Sequence, residues 1–213
     1  THWEITADYF ADCSGDSILA EPTGAEYRVG HEARAEFNES IAPVEADRKT
    51  MGMSCLIQVR EMTTPQKFTP PEWANKYLSD DDLPCRHHVL DQWQNFWWLE
   101  LGGEDDSIHD TEKIREELLK VALGVWDHIK NGGDHGAENH DLEWVGMLPG
   151  TRESRRLMGD YVLNETDILD NRIFEDAVAY GGWCVDLHCP HGLLDTDIMP
   201  SGDCRFYDGV YTI

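Results

Sequence analysis

The sequence predicts an α+β fold, with a mixed or mainly antiparallel sheet, flanking helices and long loops. Three observations carry this. Met53, Cys55, Ile57 and Val59 alternate with Ser54, Gln58 and Arg60, the period of a half-buried strand. Ile114, Leu118, Val121, Val125, Trp126 and Ile129 fall on one face at helical spacing. Strand-like and helix-like stretches are separated by long loop-rich segments, a mixed rather than a regular α/β order.

In chain order, Ile5 to Asp12 reads as a short strand entering the turn Cys13-Ser14-Gly15-Asp16. Ser17 to Ala25 reads as a short helical or looped exit, broken at Pro22 and Gly24. His31 to Asp47 is charged and rich in Ala and Glu, which suits one helix before Pro43 and a shorter one after it. Residues 63–84, with Pro65, Pro70, Pro71 and the run Asp80-Asp81-Asp82, form an irregular excursion that suits a lid. Asn95 to Leu101 reads as a strand ended by Gly102-Gly103, with Trp97 and Trp98 on opposite faces. Asp110 or Thr111 caps the long helix, Glu112, Glu116 and Glu117 suit its positive end, and Asn131-Gly132-Gly133 ends it. Leu142 to Leu148 is strand-like, Arg152 to Met158 a helix or tight loop, and Asn164 starts a further helix. Trp183 to Cys189 alternates like a strand, and Tyr207, Val210 and Tyr211 suit a hairpin.

Bulk properties narrow the function classes. With 40% apolar and 28% charged residues over 213 positions, the composition is that of a soluble globular chain with one sizeable core or two small ones. Forty-two acidic against 17 basic residues give a formal charge of −25, which argues against a phosphate-backbone partner. No apolar run approaches the roughly 18 residues of a membrane span. The six cysteines show no CxxC spacing and read as free thiols in a reducing, cytoplasmic compartment.

Several phrases then stand together: Ala11-Asp-Cys-Ser-Gly-Asp16 after a strand; Phe96-Trp-Trp-Leu-Glu-Leu-Gly-Gly103; Gly124-Val-Trp-Asp-His-Ile129; Pro149-Gly-Thr-Arg-Glu-Ser-Arg-Arg156 followed by Gly159 to Leu163; and Ala179-Tyr-Gly-Gly-Trp183 leading into Asp186-Leu-His188. In this order they resemble the FAD-dependent oxidoreductases of the glutathione-reductase-like class. The first resembles that family's second flavin-contacting signature. The resemblance implies FAD as cofactor and hydride transfer between an organic substrate and flavin; the mix of polar and aromatic residues suits a polyhydroxylated or sugar-like one. The chain lacks any Gly-x-Gly-x-x-Gly, whose helix N-terminus would hold the pyrophosphate. It is therefore expected to be an internal stretch: residues 1–25 a remnant of the FAD-binding domain, residues 26–213 the substrate-binding or cap region. Its partners would be a small-molecule substrate and the remaining FAD-binding segments of the parent.

The resemblance assigns Ser14, Gly15 and Asp16 to the cofactor; spacing alone favours an ordinary turn. Arg152, Arg155 and Arg156 can present guanidinium forks to a carboxylate, a sugar hydroxyl or the charge of a reduced flavin, with Glu153 orienting one of them. A surface ion-pair network is the plain alternative. Asp186 and His188 share one strand face beside Trp183, so Asp186 could fix the imidazole while His188 removes a hydroxyl proton; the alternative is a structurally bonded histidine. Cys85, His87, His88, Cys184, His188, Cys189 and His191 invite zinc, but their spacing supports no preformed tetrahedron, and no metal site is expected. His135 and His140 lie in a polar loop without an assignable role. The competing classes are a non-catalytic ligand- or protein-binding module derived from the same family, and a zinc-dependent hydrolase.

Overall fold

A computed structural model describes residues 2–90, 96–133, 135–195, 203–205 and 209–213. The observed class is mixed α+β, with several small antiparallel sheets and flanking helices.

The long helix α3, Thr111–Asn131, is the keel of the molecule. Its apolar stripe is buried as the period requires, with Ile114, Leu118, Val121, Ala122, Val125, Trp126 and Ile129 all in the core. Each large side chain so buried contributes on the order of 1.5–3 kcal/mol. No side chain caps this helix at Asp110; the carboxylate of Asp106, one turn earlier, accepts the N–H groups of Ile108 and His109. The C-terminus stops at Gly132, and Gly133 adopts φ +120°, a left-handed value that glycine tolerates.

Against this stripe lie β2 (Met53–Ser54) and β3 (Ile57–Glu61), where the expected single strand breaks at Cys55-Leu56. Strand β3 pairs with β5 (His140–Val145), with a bulge after Gln58. Strand β2 is the centre of a three-stranded sheet, flanked by β4 (Glu100–Leu101) and β6 (Gly150–Thr151). The strand expected over Asn95 to Leu101 thus shrinks to its last two residues, because Phe96 sits at φ +54° and turns the chain; Asn95 lies outside the described residues.

Other expectations are corrected. Residues 5–12 form no strand, and Trp3, Ile5, Tyr9 and Phe10 are exposed. The short helix α1 is Ala20–Thr23. Arg155–Leu157, expected as helix or loop, is strand β7, paired with β1 (Tyr27–Val29). Of the two helices expected in 31–47, only the four-residue α2 (Arg34–Phe37) forms. The excursion over 63–84 is a strap on α3, not a free lid. Asn75 N–H donates to the Lys120 carbonyl at 3.0 Å, and Phe68 packs edge-on against Trp126. Glycine at 124 permits this crossing, since a Cβ there would lie 2.5 Å from the Asn75 carbonyl oxygen.

Helix α4 (Glu165–Leu169) carries the capping box expected at Asn164. Strand β8 (Tyr180–Gly181) pairs with β11 (Tyr211–Thr212), and β9 (Val185–Leu187) pairs with β10 (Asp203–Arg205). Tyr207 lies outside the described residues. No described helix is long and apolar enough to cross a membrane.

Candidate functional site

Strand register builds the centre of the site. Ser54 stands opposite Glu100 on one side of β2 and opposite Gly150 on the other. Glu100 and Ser54 therefore meet across the strand pair, and Arg152 follows immediately from β6. Glu100 is only 1% exposed. Its Oε1 accepts hydrogen bonds from Ser54 Oγ at 2.9 Å and from Arg152 Nη1 at 2.6 Å. Its Oε2 faces His188 Nε2 in a short contact.

A buried carboxylate is costly unless it is paired and hydrogen-bonded, and here three partners converge on it. His188 follows β9 directly. The ring packs against Trp97 at 5.9 Å between centroids, and its Nδ1 is buried with no hydrogen-bond partner among the described residues. With the Nε2 proton donated to Glu100, Nδ1 keeps a lone pair that can accept a proton.

Two glycines let the backbone close on this cluster. A Cβ on Gly103 would overlap the Pro190 carbonyl oxygen, two residues past His188. Gly192, at φ +54°, packs against the Glu100 carbonyl, which a Cβ would strike.

The expected site residues fall into place unevenly. Asp186 is exposed on β9, so Glu100, rather than Asp186, is the carboxylate that holds the His188 ring. Trp183 is exposed, four residues from the end of β9. The arginines diverge. Arg152 turns to Glu100. Arg155, nearly buried, donates from Nε to the Asp16 carbonyl at 3.0 Å and pairs with Glu21 at 2.9 Å. Arg156 grips Glu32 with both terminal nitrogens and also donates to the Gly30 carbonyl. Glu153 pairs with none of these among the described residues; burial pushes its carboxyl up, and its Oε2 lacks a partner. The 152–156 segment nonetheless joins two expected groups. One end reaches His188 through Glu100, and the other reaches the Ser14-Gly15-Asp16 turn through Arg155 and through Ser154 Oγ, which donates to Asp16 at 2.7 Å.

That turn is well formed. The Asp12 carboxylate accepts from Ser14 Oγ at 2.6 Å, Ser14 N–H at 2.9 Å and Leu19 N–H at 2.8 Å. These bonds, the Ser14 hydroxyl foremost, hold the Asp12 carboxyl below the usual range. Gly15 has φ +84°, and nothing in the chain lies within 4 Å of where its Cβ would be. The turn thus leaves its backbone open to a flat ring system. Among the described residues, none forms the glycine-rich cradle a pyrophosphate needs.

A cavity of about 370 Å³ opens beside His188, lined among others by His31, Glu39, Ile41, Pro43 and Lys49. Its wall mixes charge with apolar surface, suited to a small polar organic molecule. Sequence reasoning missed Glu100 and this wall. The signal for Glu100 was a lone acid between Leu99 and Leu101 in an otherwise apolar run.

A second constellation was also missed. Asp80, His88, His128 and His135 place one ligand-type atom each within 4.8 Å of one another. Of the residues considered for zinc from the sequence, only His88 belongs to it.

The family model described as FAD dependent oxidoreductase matches residues 1–213. No curated protein and no solved structure matches the chain.

Proposed function

Because this chain belongs to the FAD dependent oxidoreductase family, we propose that it forms the substrate-side region of such an enzyme and holds the acid–base group for a hydroxylated organic substrate. Residues 26–213 bind the substrate, residues 1–25 belong with the cofactor, and further FAD-binding segments act with them. The observation that carries this reading is the Ser54–Glu100–Arg152–His188 cluster at the edge of a cavity whose wall mixes charged with apolar groups.

The roles follow from that geometry. Glu100 orients His188 and stabilises the imidazolium that forms when a substrate hydroxyl gives its proton to Nδ1, which is covered in this structure and is reached once the cavity wall beside it opens. A positioned base of this kind typically contributes about 10²–10⁴-fold in rate. Arg152 and Ser54 hold Glu100 Oε1, which leaves Oε2 for His188 and fixes the orientation of the ring. Lys49 and the cavity wall hold the substrate's other polar groups, and Trp97 fixes one face of the ring. FAD, when bound, supplies the acceptor for the hydride that leaves the same carbon. Ser14, Gly15 and Asp16 meet that cofactor, and Arg155, locked to the Asp16 carbonyl, ties the turn to the substrate side. The charged members of the wall, Glu39 and Lys49 among them, suit the hydroxyls of a polyhydroxylated, sugar-like molecule, and its apolar part suits the carbon skeleton.

The test is anaerobic bleaching of flavin absorbance in the FAD-loaded protein that contains this chain, using a panel of polyols, simple alcohols and amines. Polyols should bleach fastest. Bleaching by amines alone, or by none of the panel, would overturn the substrate assignment.

A further inference from the structure

We propose that Asp80, His88, His128 and His135 form a mononuclear site for a divalent transition metal, zinc by donor set and spacing, which fastens the strap over residues 63–90 to the C-terminal end of α3. Three stretches of chain supply the four donors. Asp80 opens a short 3₁₀ turn, Asp80–Asp82. His88 follows six residues after that turn. His128 lies in the last turns of α3, and His135 in the loop beyond it.

Four of the six donor–donor spacings are those of a coordination shell, and the other two lie within 4.8 Å. His128 Nε2 lies 3.0 Å from Asp80 Oδ1, His135 Nε2 lies 3.4 Å from that oxygen, and His88 Nδ1 lies 3.6 Å from it. The two Nε2 atoms of His128 and His135 are 3.2 Å apart. A tetrahedral ion with bonds of about 2.0–2.1 Å has ligand–ligand edges of about 3.3–3.4 Å. The rings agree. The three centroid separations are 5.0, 5.0 and 4.9 Å, a near-threefold arrangement. Three imidazoles on such an ion would place their centroids about 5.2 Å apart.

Hydrogen bonding alone does not satisfy this cluster. His128 Nδ1 faces the Tyr77 carbonyl at 3.2 Å, which can only accept. The neutral ring therefore carries its proton on Nδ1 and turns a bare Nε2 towards the Asp80 carboxylate. Two acceptors then oppose each other at 3.0 Å. A proton on His135 Nε2 cannot serve both. Charging His128 instead would bury an imidazolium, its side chain 1% exposed, against two further histidines. A divalent ion resolves the conflict by accepting every lone pair at once, and the Nδ1–H···O=C bond is the second-shell contact that metal-bound histidines characteristically make. His88 Nε2, buried without a partner, carries the proton in the tautomer that aims Nδ1 inward.

Three imidazoles and one carboxylate in this geometry select zinc over calcium or magnesium, which take all-oxygen shells. Asp80 is 71% exposed and borders an open hollow with Cys85, Arg86 and Gly136, so the ion can enter from solvent. The consequence reaches the first site. Trp98 packs against the rings of His87 and His88, and the neighbouring Trp97 packs against His188.

The experiment uses the full chain, stripped with a chelator and titrated with zinc by calorimetry, then with cobalt(II) followed by visible absorption. One zinc per chain and the intense visible bands of tetrahedral cobalt are expected. His135→Ala, on a loop and outside the core, should weaken zinc binding at least about 100-fold, with Asp80→Asn second and the exposed His109→Ala without effect. Sub-stoichiometric zinc, weak octahedral cobalt bands, or wild-type affinity in both His135→Ala and Asp80→Asn would overturn the site. Because both variants alter exposed or loop positions, circular dichroism of each provides the folding control.

Discussion

Replacing Glu100 with glutamine removes one charge from the middle of the buried cluster while preserving its shape. Two consequences follow, one energetic and one chemical. Removing one partner of a buried ion pair costs about 3–5 kcal/mol where the other charge is left fully buried. Arg152 keeps a third of its side chain in water, 33% exposed, and Ser54 can still donate to the amide oxygen. The expected loss is therefore about 2–3 kcal/mol. In urea, with a slope of about 2–3 kcal/mol per molar, the unfolding midpoint should fall by about 1 M. Glu100→Gln with Arg152→Met should cost less than the sum of the two single changes, by about 1 kcal/mol or more, because the second change removes the stranded cation. The chemical consequence is read by nitrogen NMR. The new amide group donates towards His188 Nε2, so the ring proton moves to Nδ1 and the lone pair that serves as base is lost. A stability change below about 0.5 kcal/mol together with additive single effects would refute the pairing of Arg152 with Glu100.

Further expectations follow from single positions. Gly192→Ala places a methyl group against the Glu100 carbonyl at φ +54° and should destabilise the chain by about 1–3 kcal/mol in the same urea assay; a neutral result would contradict the close approach. Burial pushes the Cys55 thiol up to about 11. In native protein a thiol-alkylating reagent should therefore modify exposed Cys13 and Cys85 and leave Cys55 untouched until denaturant is added, as peptide mass mapping would show. The Asp106 carboxylate, through its hydrogen bond and then its charge, raises the His109 pKa above the usual 6.5. A raised histidine contributes its stability fully below the unfolded value and loses it as pH rises through the folded one. The His109 proton resonances should thus titrate above 6.5 and return towards that value in Asp106→Asn; an unchanged midpoint in that variant would rule out the pair.

Much of the fold was legible because local patterns decided it. Helix α3 followed from its apolar period, and α4 from its Asn164 capping box. The mixed class followed from interspersed strands and loops. What escaped was set by pairing between distant segments. Arg155–Leu157 is charged and short, and nothing local makes it a strand; its pairing with Tyr27–Val29 does. Glu100 became the partner of His188 through the β2–β4 register and two close-packed glycines, neither of which leaves a periodic trace. Strand alternation puts Asp186 on the same face as His188, yet Asp186 is exposed and the carboxylate against the His188 ring is Glu100. The Asp80–His88–His128–His135 cluster spans 55 positions (135 − 80) with no short ligand pair, so spacing rules built on local motifs pass over it. The arginine run was read as one group, whereas three different acids, Glu100, Glu21 and Glu32, draw its members apart.

The central claim is that His188, oriented by Glu100, takes the substrate proton. Stopped-flow flavin reduction by a polyol tests it most directly, in the FAD-loaded protein carrying His188→Ala, with and without added imidazole. The account predicts a fall of about 10²–10⁴-fold in the reduction rate, with partial recovery as imidazole enters the vacated space. A His188→Ala enzyme that reduces its flavin at the wild-type rate would contradict it.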